Sequence, residues 1–321
     1  MKHREILRVP KIGEKQLYSQ RVEWRWYQKY LPEDLKITAE NQPEEEWWNH
    51  ENDLIHIDRY KHSSPKAKMI ILHGGGGNGR VVSPFAIMSQ KLGCEVIAPD
   101  LPGYGMTIRN KKTKPTYEKW SAIVSDLINQ EKERDELPIY VWGLSIGGFL
   151  AYMVAARNKK VQGLIATTLA DTREISTMIR VSKNPLLGIG GLIMMKLTGP
   201  LLDSIKLPIK WLTPMKLISN DPEISNVFIR DKLAGGSIVR MGFLRSLMNA
   251  KPMIEPENFT NCPVLLVHPE LDPWTPLKLS MKFFDKIAAQ KKVVLLEGCG
   301  HFPIEFPGKK TLEIALADFI V

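Results

Sequence analysis

Short apolar runs that alternate with longer helical patterns place the tightest constraint on how this chain can fold. Seven runs rich in β-forming residues occur at residues 54–60, 68–73, 95–100, 138–143, 161–167, 263–268 and 292–297. The first alternates apolar and polar residues and predicts a half-exposed strand, whereas the other six are typical of strands covered on both faces. Helical patterns lie between them, such as "YEKWSAIVSDLINQ" with its single apolar face. The alternation predicts an α/β fold with a doubly wound, mostly parallel sheet.

The alternation stops between residues 172 and 256, where Met, Leu, Ile, Gly and Pro dominate and helical patterns follow. Strand patterns resume afterwards, so this segment is predicted to be a helical cap inserted into one core formed by 51–171 and 257–321. Residues 1–50 contain many aromatic residues and are predicted to form an N-terminal extension that ends in a hairpin at the sheet edge.

Composition narrows the setting in which the chain works. Apolar residues make up 44% of the sequence, yet no run approaches the roughly 18 continuous apolar residues of a membrane span, and no apolar segment follows the basic N-terminus. Cys94, Cys262 and Cys299 are widely spaced without a CxxC pair, which predicts buried, reduced thiols rather than disulfides or a zinc site. We therefore expect a soluble, cytoplasmic protein.

The formal net charge of +9 raises the question of an anionic partner. The lysines are dispersed and no nucleic-acid-binding motif occurs, so solvated surface charge is the favoured interpretation and no nucleic acid is expected. Attraction to anionic lipid or to an acidic substrate is the alternative. Nothing in the pattern indicates an oligomeric state.

The sequence "GLSIG" at residues 143–147 lies directly between a strand pattern and a helix pattern. A sharp strand-to-helix turn holds its serine in strained geometry and needs small residues two positions before and after it. Such a turn presents Ser145 at the carboxyl edge of the sheet, where it can act as a nucleophile. A glycine-rich turn that happens to contain a serine is the alternative.

A nucleophilic serine needs a base and an orienting carboxylate. His301 follows the last predicted strand, among small residues that leave its ring free to approach Ser145. Asp272 follows the strand before it and completes the chain order Ser, Asp, His. Glu270 and Asp171 are the alternative acids, because each also follows a predicted strand.

The run "HGGGGNGR" begins at the end of the second predicted strand. Its glycines let backbone N–H groups approach an oxyanion, so we assign the donors to Gly75 and to Ile146, the residue after the nucleophile. Gly74, Gly76 and Leu144 flank these donors and are expected to contact the substrate. The run lacks the GK[ST] ending of a phosphate-binding P-loop, which disfavours that alternative.

Together these residues resemble the α/β-hydrolase superfamily. The matching pieces are "HGGGGNG", "APDLPGYGMT", "GLSIGG", "PELDPWTP" and "GCGHFPIE", in the family's order across residues 54–321. The stretches "GNGRVVSPFAIMSQKLGCEVIAPDLPGYG" and "SNDPEISNVFIRDKLAGGSIVRMGFLRSL" are similar to the monoacylglycerol lipase and lysophospholipase group. The resemblance implies an α/β-hydrolase fold and hydrolysis by a Ser-His-Asp triad through an acyl-enzyme, without cofactor or metal.

The predicted cap is unusually apolar for a surface insertion, and seven of its residues stand out: Leu186, Leu187, Ile189, Leu192, Ile193, Met194 and Met195. One interpretation is an acyl-chain pocket, with Met194 and Met195 binding substrate, or a lid that transiently touches a lipid surface. Four lysines would then lie near lipid headgroups: Lys196, Lys206, Lys210 and Lys216. The other interpretation is that these apolar residues pack the cap onto the sheet.

These patterns predict a serine hydrolase that cleaves small-molecule carboxylic esters, with a monoacylglycerol or lysophospholipid as the favoured substrate. A peptidase of proline iminopeptidase type, a thioesterase, a lactonase and a carbon–carbon bond hydrolase would use the same site and stay open as alternatives. A non-catalytic ligand-binding protein on this scaffold is the alternative of another class.

Overall fold

A mostly parallel sheet organises the chain in the computed structural model, which describes residues 16–320 except 111 and 113. The strands are β1 (Glu44–His50), β2 (Asp53–Tyr60), β3 (Ala67–Leu72), β4 (Cys94–Pro99), β5 (Ile139–Gly143), β6 (Val161–Ala166), β7 (Lys206–Pro208), β8 (Ile238–Arg240), β9 (Val264–Pro269) and β10 (Lys291–Leu296). Eight of them form one sheet in the order β1-β2-β4-β3-β5-β6-β9-β10, and β7 pairs with β8 in a separate two-stranded sheet.

The strand directions confirm the predicted fold class. β1 pairs antiparallel with β2, and β2 pairs antiparallel with β4. Every other pairing in the eight-stranded sheet is parallel. Each of the seven predicted strands begins and ends within one residue of the observed one. The parallel strands therefore bring their carboxyl ends, where the candidate residues lie, to one edge of the sheet.

Two strands differ from prediction in their burial. The alternating strand β2 is buried on both faces rather than half-exposed, because its polar side chains His56, Asp58 and Arg59 form ion pairs inside the protein. The apolar strand β10 was predicted to be covered, yet Val293 and Leu295 are 41% and 49% exposed. β10 is the last strand of the sheet, and one face of an edge strand can remain in solvent.

Helices flank the sheet and fill the segment between β6 and β9. They are α1 (Val22–Tyr30), α2 (Ser83–Lys91), α3 (Tyr117–Arg134), α4 (Ile146–Arg157), α5 (Ile175–Val181), α6 (Pro185–Thr198), α7 (Ile209–Leu212), α8 (Pro222–Arg230), α9 (Met241–Met248), α10 (Leu277–Phe284) and α11 (Gly308–Phe319). The apolar face predicted for α3 is buried at Trp120, Ile123, Val124, Leu127 and Ile128. Cys94, Cys262 and Cys299 are buried free thiols.

The segment between β6 and β9 contains α5 to α9 together with the small sheet β7–β8. The two short strands were not predicted, because three-residue runs such as Lys206–Pro208 and Ile238–Arg240 are too short to show periodicity. We keep the name cap for residues 172–256. Its boundaries remain a prediction.

The described part of the N-terminal segment is more than an edge hairpin. Its helix α1 packs against α8 of the cap, and the Tyr27 hydroxyl donates a hydrogen bond to Asp231 just beyond α8. Upstream, the Tyr18 hydroxyl donates to Asp100 Oδ2 at 2.8 Å, at the end of β4. The segment therefore joins the core to the cap. Residues 1–15 of the predicted extension lie outside the described residues.

Candidate active site

The turn between β5 and α4 holds Ser145 in the left-handed region of backbone space, with φ 55° and ψ −127°. Its glycine neighbours are required by packing: a Cβ on Gly143 would lie 1.9 Å from the carbonyl oxygen of Gly147. A Cβ on Gly147 would in turn lie 2.5 Å from the carbonyl oxygen of Leu72. This is the strained strand-to-helix geometry of a nucleophile elbow.

His301 and Asp272 lie side by side in the loops that follow β10 and β9. His301 Nδ1 donates to Asp272 Oδ2 at 2.7 Å, and both side chains are buried. Of the alternative acids, Glu270 accepts a hydrogen bond from the backbone of Gly298, and Asp171 pairs with Arg173. Asp272 is therefore the acid that the structure brings to the imidazole.

Asp272 is held by further donors that the sequence pattern did not single out. The Thr275 hydroxyl donates to Asp272 Oδ2 at 2.5 Å, and the backbone N–H groups of Trp274 and Thr275 donate to Oδ1 at 2.8 and 2.9 Å. Burial alone would raise the pKa of Asp272, but the positive charge and hydrogen bond of His301, together with Thr275, hold it well below its usual range. The carboxylate is therefore ionised at neutral pH.

Trp274 connects this pair to the cap. Its ring lies 4.7 Å from the His301 ring between centroids, and its indole N–H donates to the backbone carbonyl of Val181 at 3.0 Å. The tryptophan in "PELDPWTP" was a signal for this role, because a buried indole N–H generally finds a partner.

The second nitrogen of the imidazole is the one that can receive a proton. His301 Nε2 is buried and has no hydrogen-bond partner among the residues that the structure describes. His301 and Ser145 both line a small cavity of about 40 Å³. Ser145 and His301 thus border a common space, although no hydrogen bond joins their side chains; such bonds are often long in unliganded enzymes.

The glycine loop after β3 forms another wall of that cavity. Gly74, Gly75 and Leu144 line it with Ser145, while Gly76 lies outside it with φ 75°. Gly74 has no room for a side chain, since a Cβ there would lie 2.9 Å from that of Ser145. The loop therefore runs directly against Ser145.

Buried polar groups fix this loop in place. His73 Nδ1 donates to the carbonyl of Gly74 at 2.9 Å, while its Nε2 accepts from the backbone of Leu101 at 3.1 Å. Burial lowers the pKa of His73, so the ring stays neutral and can accept that bond. Farther along, Asp100 Oδ1 accepts from Gly79 N at 2.6 Å. These bonds hold the loop rigidly, as a preorganised oxyanion site needs.

A larger apolar cavity of about 90 Å³ opens beside Ser145, under the cap. Gly75 and Ile146 line it together with Ser145. Apolar side chains from the cap form much of the rest: Met178, Val181, Ile209, Leu212, Met215, Phe243, Leu244 and Leu247. No acidic side chain lines this cavity or the smaller one among the residues that the structure describes.

The methionines predicted to bind substrate differ from those that the structure places beside Ser145. Met194 and Met195 lie outside both cavities, and the methionines that line the apolar cavity are Met178 and Met215. Met194 is 38% exposed on α6, whereas Met195 is buried beneath it. The methionine pair drew attention by composition, but neither side chain lines a cavity beside Ser145.

Most apolar residues of α6 face solvent rather than the sheet. Leu186 and Leu197 are each 82% exposed, and Ile193 is 53% exposed. The interpretation that such residues pack the cap down is therefore wrong for most of α6.

The same helix bears on the expectation that no segment of the chain spans a membrane. Pro185–Leu202 forms an 18-residue helical stretch with mean hydropathy 1.5, long and apolar enough to cross a membrane by length and composition alone. Its α-helical part ends at Thr198 and a tighter turn begins at Gly199, where φ is 54°. The 14-residue helix is about 21 Å long, shorter than the roughly 30 Å of a bilayer's hydrocarbon core.

Outside the Ser145 site, one cluster of side chains has the composition of a metal site. Glu45, His56 and Asp58 offer ligand atoms within 4.8 Å of one another. However, Arg80 already pairs with both carboxylates. Burial would lower the pKa of His56, but Asp100 and Glu45 raise it to about 10, so the imidazole is charged and cannot ligate a cation. The cluster fits an ion-pair network rather than a metal.

The sheet order, the strained serine turn and the His–Asp pair beyond the last two strands define the chain as an α/β-hydrolase. The sequence profile of the Hydrolase_4 family, described as serine aminopeptidase, S33, matches residues 63–304. The chain belongs to this family.

Relatives agree with this assignment. An uncharacterized abhydrolase domain-containing protein of Dictyostelium discoideum is 29% identical over 243 residues, 74% of this chain, and the match spans only 24% of that relative's length. Phospholipase YtpA of Bacillus subtilis is 23% identical over 73% of this chain and 86% of its own.

Among solved structures, a soluble variant of the Saccharomyces cerevisiae monoglyceride lipase, in complex with a substrate analog, superposes with a TM-score of 0.68 at 17% identity. The match covers 90% of this chain and 97% of the other. The predicted resemblance to the monoacylglycerol lipase group is confirmed.

Proposed function

We propose that this protein is a serine hydrolase that cleaves lipid-like carboxylic esters with an apolar acyl chain, such as monoacylglycerols or lysophospholipids. One observation carries the proposal: the strained Ser145 and the His301 that pairs with Asp272 line one small cavity, and Ser145 also lines an apolar cavity. The arrangement of Ser145, His301 and Asp272 supports the chemistry, and the apolar cavity supports the substrate class.

In the proposed reaction, Ser145 Oγ attacks the ester carbonyl while its proton passes to His301 Nε2. Asp272 holds the imidazole through Nδ1 and stabilises its charged form. The N–H groups of Gly75 and Ile146 donate to the oxyanion, and the loss of one such donor typically costs about 3 kcal/mol. His301 then protonates the leaving alcohol, and a water activated by the same base releases the acid from the acyl-enzyme.

The apolar lining favours an acyl chain over a charged substrate. An aminopeptidase, which the family description names, needs acidic groups to hold a free amino terminus, and none lines the two cavities within the described residues. Two of the similar proteins are a phospholipase and a monoglyceride lipase, which also favours a lipid ester.

We further propose that the exposed apolar face of α6 makes transient contact with a lipid surface. The lysines predicted to lie near headgroups, Lys196, Lys206, Lys210 and Lys216, are all exposed on the same cap. Such a helix lies in the interface, with apolar residues in the acyl region and basic residues among headgroups. A cytoplasmic location, with reduced thiols, is part of the same proposal.

A substrate panel tests the proposed class. Purified protein is assayed with p-nitrophenyl esters of increasing chain length, amino-acid p-nitroanilides, a lactone and acyl-coenzyme A, with Ser145→Ala as the blank. We expect the highest kcat/KM on an ester with a medium or long acyl chain, because the apolar cavity binds the chain. Highest activity on the anilides would contradict the lipid-ester proposal and favour the peptidase.

A further inference from the structure

A basic cleft lies outside the apolar cavity, between the core and the cap. Its core side is the loop that joins β4 to α3 and carries Arg109, and its cap side is the small sheet with Lys206 and Arg240. Two adjoining cavities of about 230 and 220 Å³ form the cleft and share Arg109, Arg240, Pro115 and Phe243. We call these two cavities together the basic cleft.

The lining of the basic cleft is strongly positive. Five described residues on its walls are cationic: Arg109, Lys112, Lys114, Lys206 and Arg240. The acid on the described walls is Asp203, and its Oδ1 already accepts a hydrogen bond from Arg245 Nε at 2.8 Å. The cationic side chains of the cleft therefore outnumber the acids on its walls.

Two of these cations, Arg109 and Arg240, line both cavities of the cleft. Burial lowers the pKa of Arg109, and the neighbouring positive charge of Arg240 lowers it further, against the opposing effect of Asp53. Asp53 itself pairs with Lys119 at 3.1 Å. Arg109 and Arg240 are both half-buried, where water screens their repulsion less well than at the surface. An anion bound between them would relieve this repulsion.

The basic cleft lies beside both the Ser145 cavity and an exposed apolar part of the cap. Tyr104 and Phe243 line the cleft on one side and the Ser145 cavity on the other. On the cap, Ile238, which begins the strand of Arg240, is 56% exposed, and Ile205, which precedes the strand of Lys206, is 42% exposed. A ligand in the cleft would therefore lie beside the exposed side chains of Ile205 and Ile238.

We propose that the basic cleft binds a phosphate group, carried by a lipid headgroup or by a soluble phosphate ester. Guanidinium groups match phosphate oxygens in pairs of parallel hydrogen bonds, and several cations suit a group with a charge near −2 better than a single carboxylate. Binding requires no ester cleavage, so the proposal stands apart from the chemistry assigned to Ser145.

The test uses the Ser145→Ala protein, in which no turnover is expected. Titration calorimetry measures the binding of glycerol 3-phosphate, and flotation measures binding to vesicles of phosphatidylcholine alone or with phosphatidic acid. The cleft variant is Arg109→Gln with Arg240→Gln, and the control is Lys159→Gln with Lys160→Gln, which removes two exposed charges beyond α4. Should the cleft variant unfold in thermal melts, Lys206→Gln with Arg240→Gln replaces it.

We expect the cleft variant to weaken binding to the phosphate-bearing ligand about tenfold or more, while the control keeps the parent affinity and neutral vesicles bind all variants alike. Cleft-dependent binding of glycerol 3-phosphate identifies soluble phosphate esters as ligands. Cleft-dependent binding of anionic vesicles alone identifies a lipid headgroup. Equal binding by cleft and control variants, or no binding of either phosphate ligand to the parent, overturns the proposal.

Discussion

Thr275 shows how much of this site depends on a residue that does not react. Its hydroxyl donates to Asp272 Oδ2, lies 3.2 Å from His301 Nδ1 and lies 3.2 Å from the Thr168 hydroxyl. This hydrogen bond holds the carboxylate in the orientation in which Asp272 Oδ2 accepts a hydrogen bond from His301 Nδ1. In our account, Thr275 is a positioning residue that acts through Asp272.

We predict that Thr275→Val lowers kcat by about tenfold or more, because a hydrogen bond to a charged group is worth roughly 1.5–3 kcal/mol. KM should change little, because Thr275 lines the apolar cavity but valine has nearly the same size and shape as threonine. Steady-state kinetics on the best ester of the panel measures both constants. Thr275→Ser keeps the hydroxyl and should recover most of kcat; if it is as slow as Thr275→Val, packing of the methyl group is the cause instead.

Individual site residues could be predicted from the sequence where the chemistry requires one residue type at one position in the chain. Ser145, Asp272 and His301 could be chosen because each follows a strand pattern, and the structure brings Asp272 and His301 together. Thr275 was missed because its role depends on how one turn folds back. Met194 was misplaced because composition does not show which way a helix faces.

The sequence of helix α6 shows that the helix is apolar, but it does not show which surface the helix contacts. Its apolar composition was evident, but an apolar helix can be buried, can lie on a lipid surface or can pack against another protein. Only the exposure of Leu186, Ile193 and Leu197 removes the first of these. The length of the helix further favours a surface location over a span.

We predict that Leu186→Glu with Leu197→Glu weakens binding to phosphatidylcholine vesicles about tenfold or more, because burial of each leucine in the lipid interface contributes roughly 1.5–3 kcal/mol. Flotation measures the binding. Hydrolysis of a soluble short-chain ester should be unchanged, since neither residue lines the cavities. Ile314→Glu, at a 52% exposed position on α11, is the matched control. If the α6 variant binds vesicles as tightly as the control variant does, α6 is not the contact surface.

For the whole molecule, strand positions were predictable and long-range packing was not. Runs of β-forming residues placed each of the seven predicted strands to within one residue, because such runs with turn residues at both ends are typical of strands. The order of the strands depends on tertiary contacts, which leave β10 at an edge of the sheet and expose its Leu295. The contact of the N-terminal segment with the cap depends on Tyr27 and Asp231, which lie 204 positions apart in sequence.

The central claim, that the fold activates one serine, is tested most directly by covalent labelling. A fluorophosphonate probe forms a phosphonate ester with an activated serine oxygen and releases fluoride. We predict that the wild-type protein takes up one probe, located on Ser145 by mass spectrometry of peptides, and that Ser145→Ala takes up none. Ser64→Ala, at an exposed loop serine, should label like the wild type. A wild-type protein that does not label, or a Ser145→Ala variant that labels equally well, would contradict the account.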